Sequence, residues 1–595
     1  YAVEELRLYG GRATAQPTSD TEQEATQAIA SGNELSVVFG TLHGDSDITV
    51  AAGKAEATGQ DAASVADGNS TTIEIGKIVA SSSVPILDIQ GGVSSAGSEM
   101  GDPLSLSAQA SASGNMVTGH LGSISDSDIA MVAGSAWANA QNAVSVADGN
   151  RLAFDVSSLV SNPVFLVTGG ESVAGTTYGS LLPLSAQASA SGNVVTGHFE
   201  SISDSNLAMA AGNARAYGQD AVSFADGNRL TFETATSVSN STLEFYGGYS
   251  AAESASGDLQ TALASASGNE VSGRFESVSD STISMVAGSA AAYGQDVVAL
   301  ADGNHLDLEI SSLSSSDDSG DDSSDVFSVI GGNSVADSLS VASPSVSAQA
   351  SASGNDVSGR FESVSDSTTS MIAGSAESYG QNAVAFADGN HLDLEISSLL
   401  SGREFSVIGG NSVIGSLGVA SLLLSAQTSA SGNEVSGRVE SISDSFISMV
   451  AGSASAYGQK AVSSADGNRL TFEIATSVSN STLDIQGGLA MAGGASGDSQ
   501  SAQASASGNL VTGSISGSVG QSSSLGIYGG RATAVAQDST AVADNNQIQL
   551  TLTLEETDGS VEETDGSMQL LLLGASARAL TTAVADGNLL RVSGG

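Results

Sequence analysis

The sequence predicts an all-β repeat protein, a β-solenoid or a closely related stack of small β-layers. Three observations carry that expectation. A Gly-Asn marker returns along the whole chain, apolar and polar side chains alternate with a period of two around it, and the side chains are too small for a deep core.

The marker ends Ser-Ala-Ser-Gly-Asn or Ala-Asp-Gly-Asn. Its asparagines are Asn33, Asn69, Asn115, Asn150, Asn193, Asn228, Asn269, Asn304, Asn355, Asn390, Asn433, Asn468, Asn509, Asn546 and Asn588, and only once does another residue, Asn545, replace the glycine. Successive steps alternate between about 35 residues and, usually, 41 to 46, so about fifteen units of about 39 residues form pairs of about 78. One half opens with a segment such as Leu87-Asp88-Ile89-Gln90-Gly91-Gly92, the other with one such as Ile129-Ala130-Met131-Val132-Ala133-Gly134. Both then follow one plan: an alternating run, a break of small residues, an Ala-rich run, the Gly-Asn corner, and a second alternating run ending in serines.

The alternation is clear in Ala348-Gln349-Ala350-Ser351-Ala352-Ser353 and in His305-Leu306-Asp307-Leu308-Glu309-Ile310, which read as strands with one inward face. At each corner Gly and Asn are both tolerant of positive φ. Aromatics make up 4% of the 595 residues, against 71 glycines, so one unit cannot bury a core alone and has to stack on its neighbours. Fifteen layers about 4.8 Å apart give a stack of roughly 70 Å, longer if a unit makes two turns, and the spacing leaves one or two turns open. The chain divides into units 1–85, central pairs 86–325 with an acidic insertion near 317–325, further pairs 326–523, and divergent units 524–595.

Charge narrows the partners. At −49, from 65 acidic and 16 basic residues, the chain is unsuited to nucleic acid or to anionic membranes. With no cysteine there are no disulfides and no thiolate chemistry. The longest apolar cluster, Met568 to Leu573, is too short to insert in a membrane. Nothing at Tyr1 resembles a signal peptide, so a secreted protein is expected to be numbered here from its mature start.

Reading down the units gives columns. The marker asparagines and the column Gln60, Gln141, Gln219, Gln295, Gln381 and Gln459 are expected to form amide ladders, while Met131, Met209, Met285, Met371 and Met449 are expected in the core. His120 and His198 share a column with Arg274, Arg360 and Arg438, and His305 and His391 one with Arg151, Arg229 and Arg469. That interchange marks exposed polar positions rather than a general base; His43 stands alone. No serine has a distinctive His and acid partner, so no catalytic residue is assigned.

Asp317, Asp318, Asp321, Asp322 and Asp325 form an acidic insertion, and Glu555 to Gly559 is nearly duplicated at Glu562 to Gly566. The alternatives at the aspartates are calcium, the one candidate cofactor, and a solvated loop. Asp126, Asp204, Asp280, Asp366 and Asp444, each in Ser-Asp-Ser, are candidates for capping turns. Trp137 stands where other units carry Ala291, Glu377 and Ser455, so its column is expected to face solvent, and Tyr217, Tyr293, Tyr379 and Tyr457 form a further column. Asn69, Asn240 and Asn480 open Asn-Ser-Thr glycosylation triplets.

From Ser272-Gly273 to Asn304, with its Ala-Gly, Gln295 and Asp302-Gly303-Asn304, the chain resembles the repeats of secreted fibril-forming bacterial proteins, the functional amyloids of the curli and Fap type. That resemblance implies an extracellular, self-assembling fibre of a surface filament or biofilm matrix, with the chain itself as the expected partner and surface polysaccharide or other matrix components as candidate further ones. Leu570, Leu571, Leu572 and Leu573 are the candidate assembly edge, meeting residues near Tyr1 to Gly11 of another copy in a head-to-tail contact. The competing expectation is a monomeric rod-like adhesin or a sugar- or ice-binding β-solenoid.

Overall fold

The computed structural model describes residues 5–16, 25–43, 47–59, 61–79, 86–97, 107–175, 185–254, 261–315, 326–338, 347–400, 404–415, 425–493, 501–519, 523–554 and 569–594. Among them there are strands and no helix. They form two compact units, residues 1–276 with 281–301, and residues 277–280 with 302–595.

Both units are parallel β-solenoids with the same three-sided turn. In the first, one turn runs through Asp128–Asn139 on a long-strand side (sheet 1), Asn142–Val146 on a short-strand side (sheet 2) and Arg151–Val160 on the third (sheet 3). The next turn lies on it in parallel register, with Asp128 beside Val164, Asn142 beside Ser185 and Arg151 beside Val194. The second unit repeats this, with Thr368 beside Glu404, Asn382 beside Ser425 and His391 beside Glu434. One marker therefore belongs to one turn, which settles the question the spacing left open.

Period-two alternation puts every second side chain inward. The long strand breaks the rule once: in Asp128–Asn139 the inward set is Ile129, Met131 and Ala133, and then at once Gly134, Ala136 and Ala138. The strand bends there toward the opposite corner, and only glycine fits. A Cβ on Gly134 would lie 2.1 Å from the Ala112 carbonyl and 2.5 Å from Asn150 Oδ1. Gly170, Gly212 and Gly248 meet Asn193, Asn228 and Asn269 in the same way.

The core explains why the repeat is a pair. Within the first unit, sheet 3 places a glycine (Gly119, Gly197) in one turn and a large residue (Phe154, Phe232) in the next, and a third such glycine is Gly273. Sheet 1 answers with methionine: Met131, Met209 and Met285 are fully buried, and their Cε atoms lie 2.9, 3.0 and 2.6 Å from where a Cβ on the three glycines would stand. In the second unit Met371 and Met449 fill the space over Gly359 and Gly437. Between the methionines of the first unit runs a spine of phenylalanines, Phe154, Phe199, Phe232 and Phe275, with ring centroids 5.2 to 5.4 Å apart.

Candidate functional site: the stacked corner and the C-terminal turn

Each Gly-Asn corner divides its labour. The glycine supplies the left-handed backbone, φ 66° at Gly149 and 65° at Gly192, and a Cβ there would meet nothing within 4 Å. Asn545, in the glycine's place, adopts φ 56°, which asparagine tolerates better than most residues. The marker asparagines are not in that region, contrary to the expectation that both residues serve positive φ. Their work is done by the amide.

That amide builds a directional ladder. Asn115 donates its backbone N–H (2.9 Å) and its Nδ2 (3.1 Å) to Asn150 Oδ1, and Asn150 does the same to Asn193 at 2.8 and 3.1 Å. The chain of donors continues through Asn228 to Asn269, and in the second unit from Asn304 through Asn355, Asn390, Asn433, Asn468 and Asn509 to Asn546. Nδ2 of Asn150 also reaches its own turn at the Ala147 carbonyl, 2.8 Å. All these asparagines are buried, so each satisfied amide replaces water with protein partners. Asn69 belongs to the ladder, with Nδ2 bonded to Ala66 O and Asn115 Oδ1, so its amide is not open to a glycan.

Beside this runs a second ladder that the sequence shows only as the alternation of Ser-Gly-Asn with Asp-Gly-Asn. The Ser113 N–H and the Ser111 hydroxyl both donate to Asp67 Oδ1 at 2.7 Å, and the Asp148 N–H donates to Ser113 Oγ at 3.2 Å. Ser191 then donates to Asp148, Asp226 to Ser191 and Ser267 to Asp226. Aspartate in every turn would stack carboxylates about 4.8 Å apart. Serine between them separates the charges and supplies the donors.

The glutamine column is no such ladder. Gln141, Gln219, Gln295, Gln381 and Gln459 sit where the long strand passes to the short one, and they recur only in every second turn. Gln141 and Gln219 follow strands separated by Val164–Ala174, so their layers lie about 10 Å apart, beyond amide reach. What this turn offers its neighbour is main chain: the carbonyls of Gln141, Gln219, Gln381 and Gln459 accept from Ser185, Thr261, Ser425 and Ser501 at 3.0 to 3.1 Å.

His120, His198, His305 and His391 lie on the outer face of sheet 3, in columns shared with charged residues of the neighbouring turns. His120 Nδ1 is 3.0 Å from Asp155, His198 Nδ1 3.9 Å from Glu233 and His305 Nδ1 3.2 Å from Asp356, each partner one turn on. Arg229 with Glu270 and Arg360 with Glu395 follow the same rule. Charge thus alternates along the stack, which lets strongly acidic turns lie in register. Asp126, Asp204, Asp280, Asp366 and Asp444 all adopt φ between 48° and 52° at the corner from sheet 3 to sheet 1. Asn240 and Asn480 occupy it in the alternate turns at φ 46° and 47°. Trp137 is 48% exposed on the outer face of sheet 1.

Asp317, Asp318, Asp321, Asp322 and Asp325, Gln60, and the duplicated acidic segment from Glu555 to Gly566 lie outside the described residues. Among the described residues no group of three or more His, Asp or Glu side chains is arranged to hold a metal ion. Leu570 to Leu573 form most of the strand Gln569–Leu573, paired with Ser524–Tyr528 of the preceding turn. Leu570 is 41% exposed where its neighbour Leu525 is 3%, and Val592 is 48% exposed where Leu550 is 2%.

Fold and ladders together define a parallel β-solenoid repeat protein. No family model matches the chain, and no curated protein or solved structure is significantly similar to it.

Proposed function

We propose that the chain is a non-catalytic structural subunit of an extracellular self-assembling fibre, a surface filament or biofilm-matrix component, whose copies stack end to end through β-edges. The observation that carries this reading is the direction of the asparagine ladder. Every layer accepts on one side and donates on the other, so a second copy extends the stack only in the same sense, as a heterologous contact does. The C-terminal turn adds apolar side chains, Leu570 and Val592, whose equivalents one turn earlier are covered. Covering such half-exposed side chains contributes about 1 kcal/mol each. The alternation of charge on sheet 3 favours a neighbour in register, and the resemblance to secreted fibril-forming repeats supports an extracellular setting.

Negative-stain microscopy of the purified full chain over rising concentration tests this. Filaments are expected, and Leu570→Asp with Val592→Asp is expected to abolish them while the β-sheet circular dichroism is retained. Dispersed particles at every concentration would instead favour a monomeric adhesin, and filaments unchanged in the double variant would contradict the edge contact.

A further inference from the structure

The outer face of sheet 1 in the first unit carries a cluster that the repeat does not require. At the glycine bend the outward side chains Ser135, Val286 and Ser289 are 6 to 8% exposed, although they point away from the core, so the face is recessed there. One register column of this recess reads Ser135, Glu171, Asn213 and Tyr249 over four successive strands, and Trp137 and Arg215 stand in the column beside it. The same column in the second unit reads Asn333, Ser375, Asn411, Ser453 and Leu489, without aromatic rings.

The members are tied to one another. Trp137 Nε1 donates to Ser135 Oγ at 2.8 Å, and Ser135 Oγ donates to Glu171 Oε2 at 3.5 Å. The Arg215 guanidinium lies 5.5 Å from the centre of the Tyr249 ring, and Tyr246 meets Tyr249 edge-on at 6.2 Å. Among the described residues Asn213 Oδ1 is buried with no hydrogen-bond partner, an acceptor free to take a donor from outside the chain.

We infer that this recess is a binding site for a neutral glycan chain lying along the stack. Aromatic rings offer flat apolar faces to the C–H faces of sugar rings, and the carboxylate of Glu171, the amide of Asn213 and the guanidinium of Arg215 offer fixed acceptors and donors to hydroxyls. From Ser135 to Tyr249 is three strand steps, about 14 Å, long enough for several sugar rings. An anionic polymer is disfavoured by the chain's charge of −49 and by Glu171, Glu244 and Glu253 on this face. The inference is independent of end-to-end assembly, because the site lies on the side of the stack.

Trp137 is the sole tryptophan, so its emission reports this site alone. The full chain is titrated with laminarin, hydroxyethyl cellulose and galactomannan. A saturable change in emission with at least one of them is expected. It should weaken at least tenfold in Arg215→Ala and in Tyr249→Ala, with melting unchanged, and persist in Leu489→Ala of the second unit. No change with any of the three polymers, persistence in both site variants, or equal loss in Leu489→Ala overturns the inference.

Discussion

Asn193 gives both its backbone N–H and its Nδ2 to one atom of the next turn, Asn228 Oδ1, at 2.9 and 3.1 Å. Asn228 in turn gives both donors to Asn269. Asn228→Ala leaves the Asn193 N–H buried without an acceptor, and is expected to cost about 2–4 kcal/mol. Asn228→Asp loses the same donor to Asn269 and is expected to cost more, because it also brings a charge into a buried site. Urea unfolding of each variant checks this, and a loss below about 0.5 kcal/mol for the alanine would remove the ladder from the account.

The methionine over each sheet 3 glycine gives a second prediction. Gly273→Ala puts a methyl 2.6 Å from Met285 Cε and is expected to destabilise by about 1–3 kcal/mol. Met285→Val in the same chain is expected to recover part of that loss, although Met285→Val alone is destabilising. The coupling is read from a double-mutant cycle, and additive effects would mean that the two residues do not share one space.

The Ser-Asp ladder predicts an electrostatic effect. Ser191→Asp would place three carboxylates in successive turns, Asp148, residue 191 and Asp226, and would remove the hydroxyl that accepts the Asp226 N–H. The expected loss is about 1 kcal/mol, smaller in high salt. Melting curves at low and high ionic strength check it, and an unchanged melting temperature at both would contradict it. Asp544 and Asp586 show the natural exception: there the Asp586 N–H donates directly to Asp544 Oδ1 at 2.7 Å.

Burial pushes the carboxyls of Asp88, Glu171 and Asp337 above their ordinary values. In the window just above the usual carboxylate range the folded chain therefore holds protons that the unfolded chain has released, and stability falls as pH rises through it. Glu56 works oppositely: the hydrogen bond from Lys54 holds its pKa low, so its stabilisation is present at neutral pH and is lost only in more acidic solution. The melting temperature is expected to be higher near about pH 5 than near about pH 7.5, and to fall again toward about pH 3. Glu171→Gln is expected to reduce the gain on acidification. A melting temperature that rises between about pH 5 and pH 7.5 would contradict this assignment.

Much of the fold was legible because a strand with one inward face must alternate, and because corners recur where glycine does. The number of turns per unit was not, since three runs of strand-like sequence do not say how many sides a turn has. The marker asparagine is plain in the sequence and its task is not: tolerance of positive φ and an amide able to bridge layers belong to the same side chain, and only the register separates them. The glutamines misled because neighbours in a sequence column need not be neighbours in the stack. The recess at Ser135, Glu171, Asn213 and Tyr249 has no period at all, and residues as much as three turns apart on one column cannot be associated until the strands are paired.

The central claim is that one Gly-Asn unit makes one turn. The chain has no cysteine, so an introduced pair reports distance without competition. Asn142 and Ser185 are register partners one turn apart, whereas Asn142 and Asp220 are separated by two layers. Under mild oxidation Asn142→Cys with Ser185→Cys is expected to form an intramolecular disulfide in the folded protein, because parallel neighbours fall within disulfide reach. Asn142→Cys with Asp220→Cys is expected to stay reduced. A disulfide in the second pair and none in the first would show that two units, not one, complete a turn.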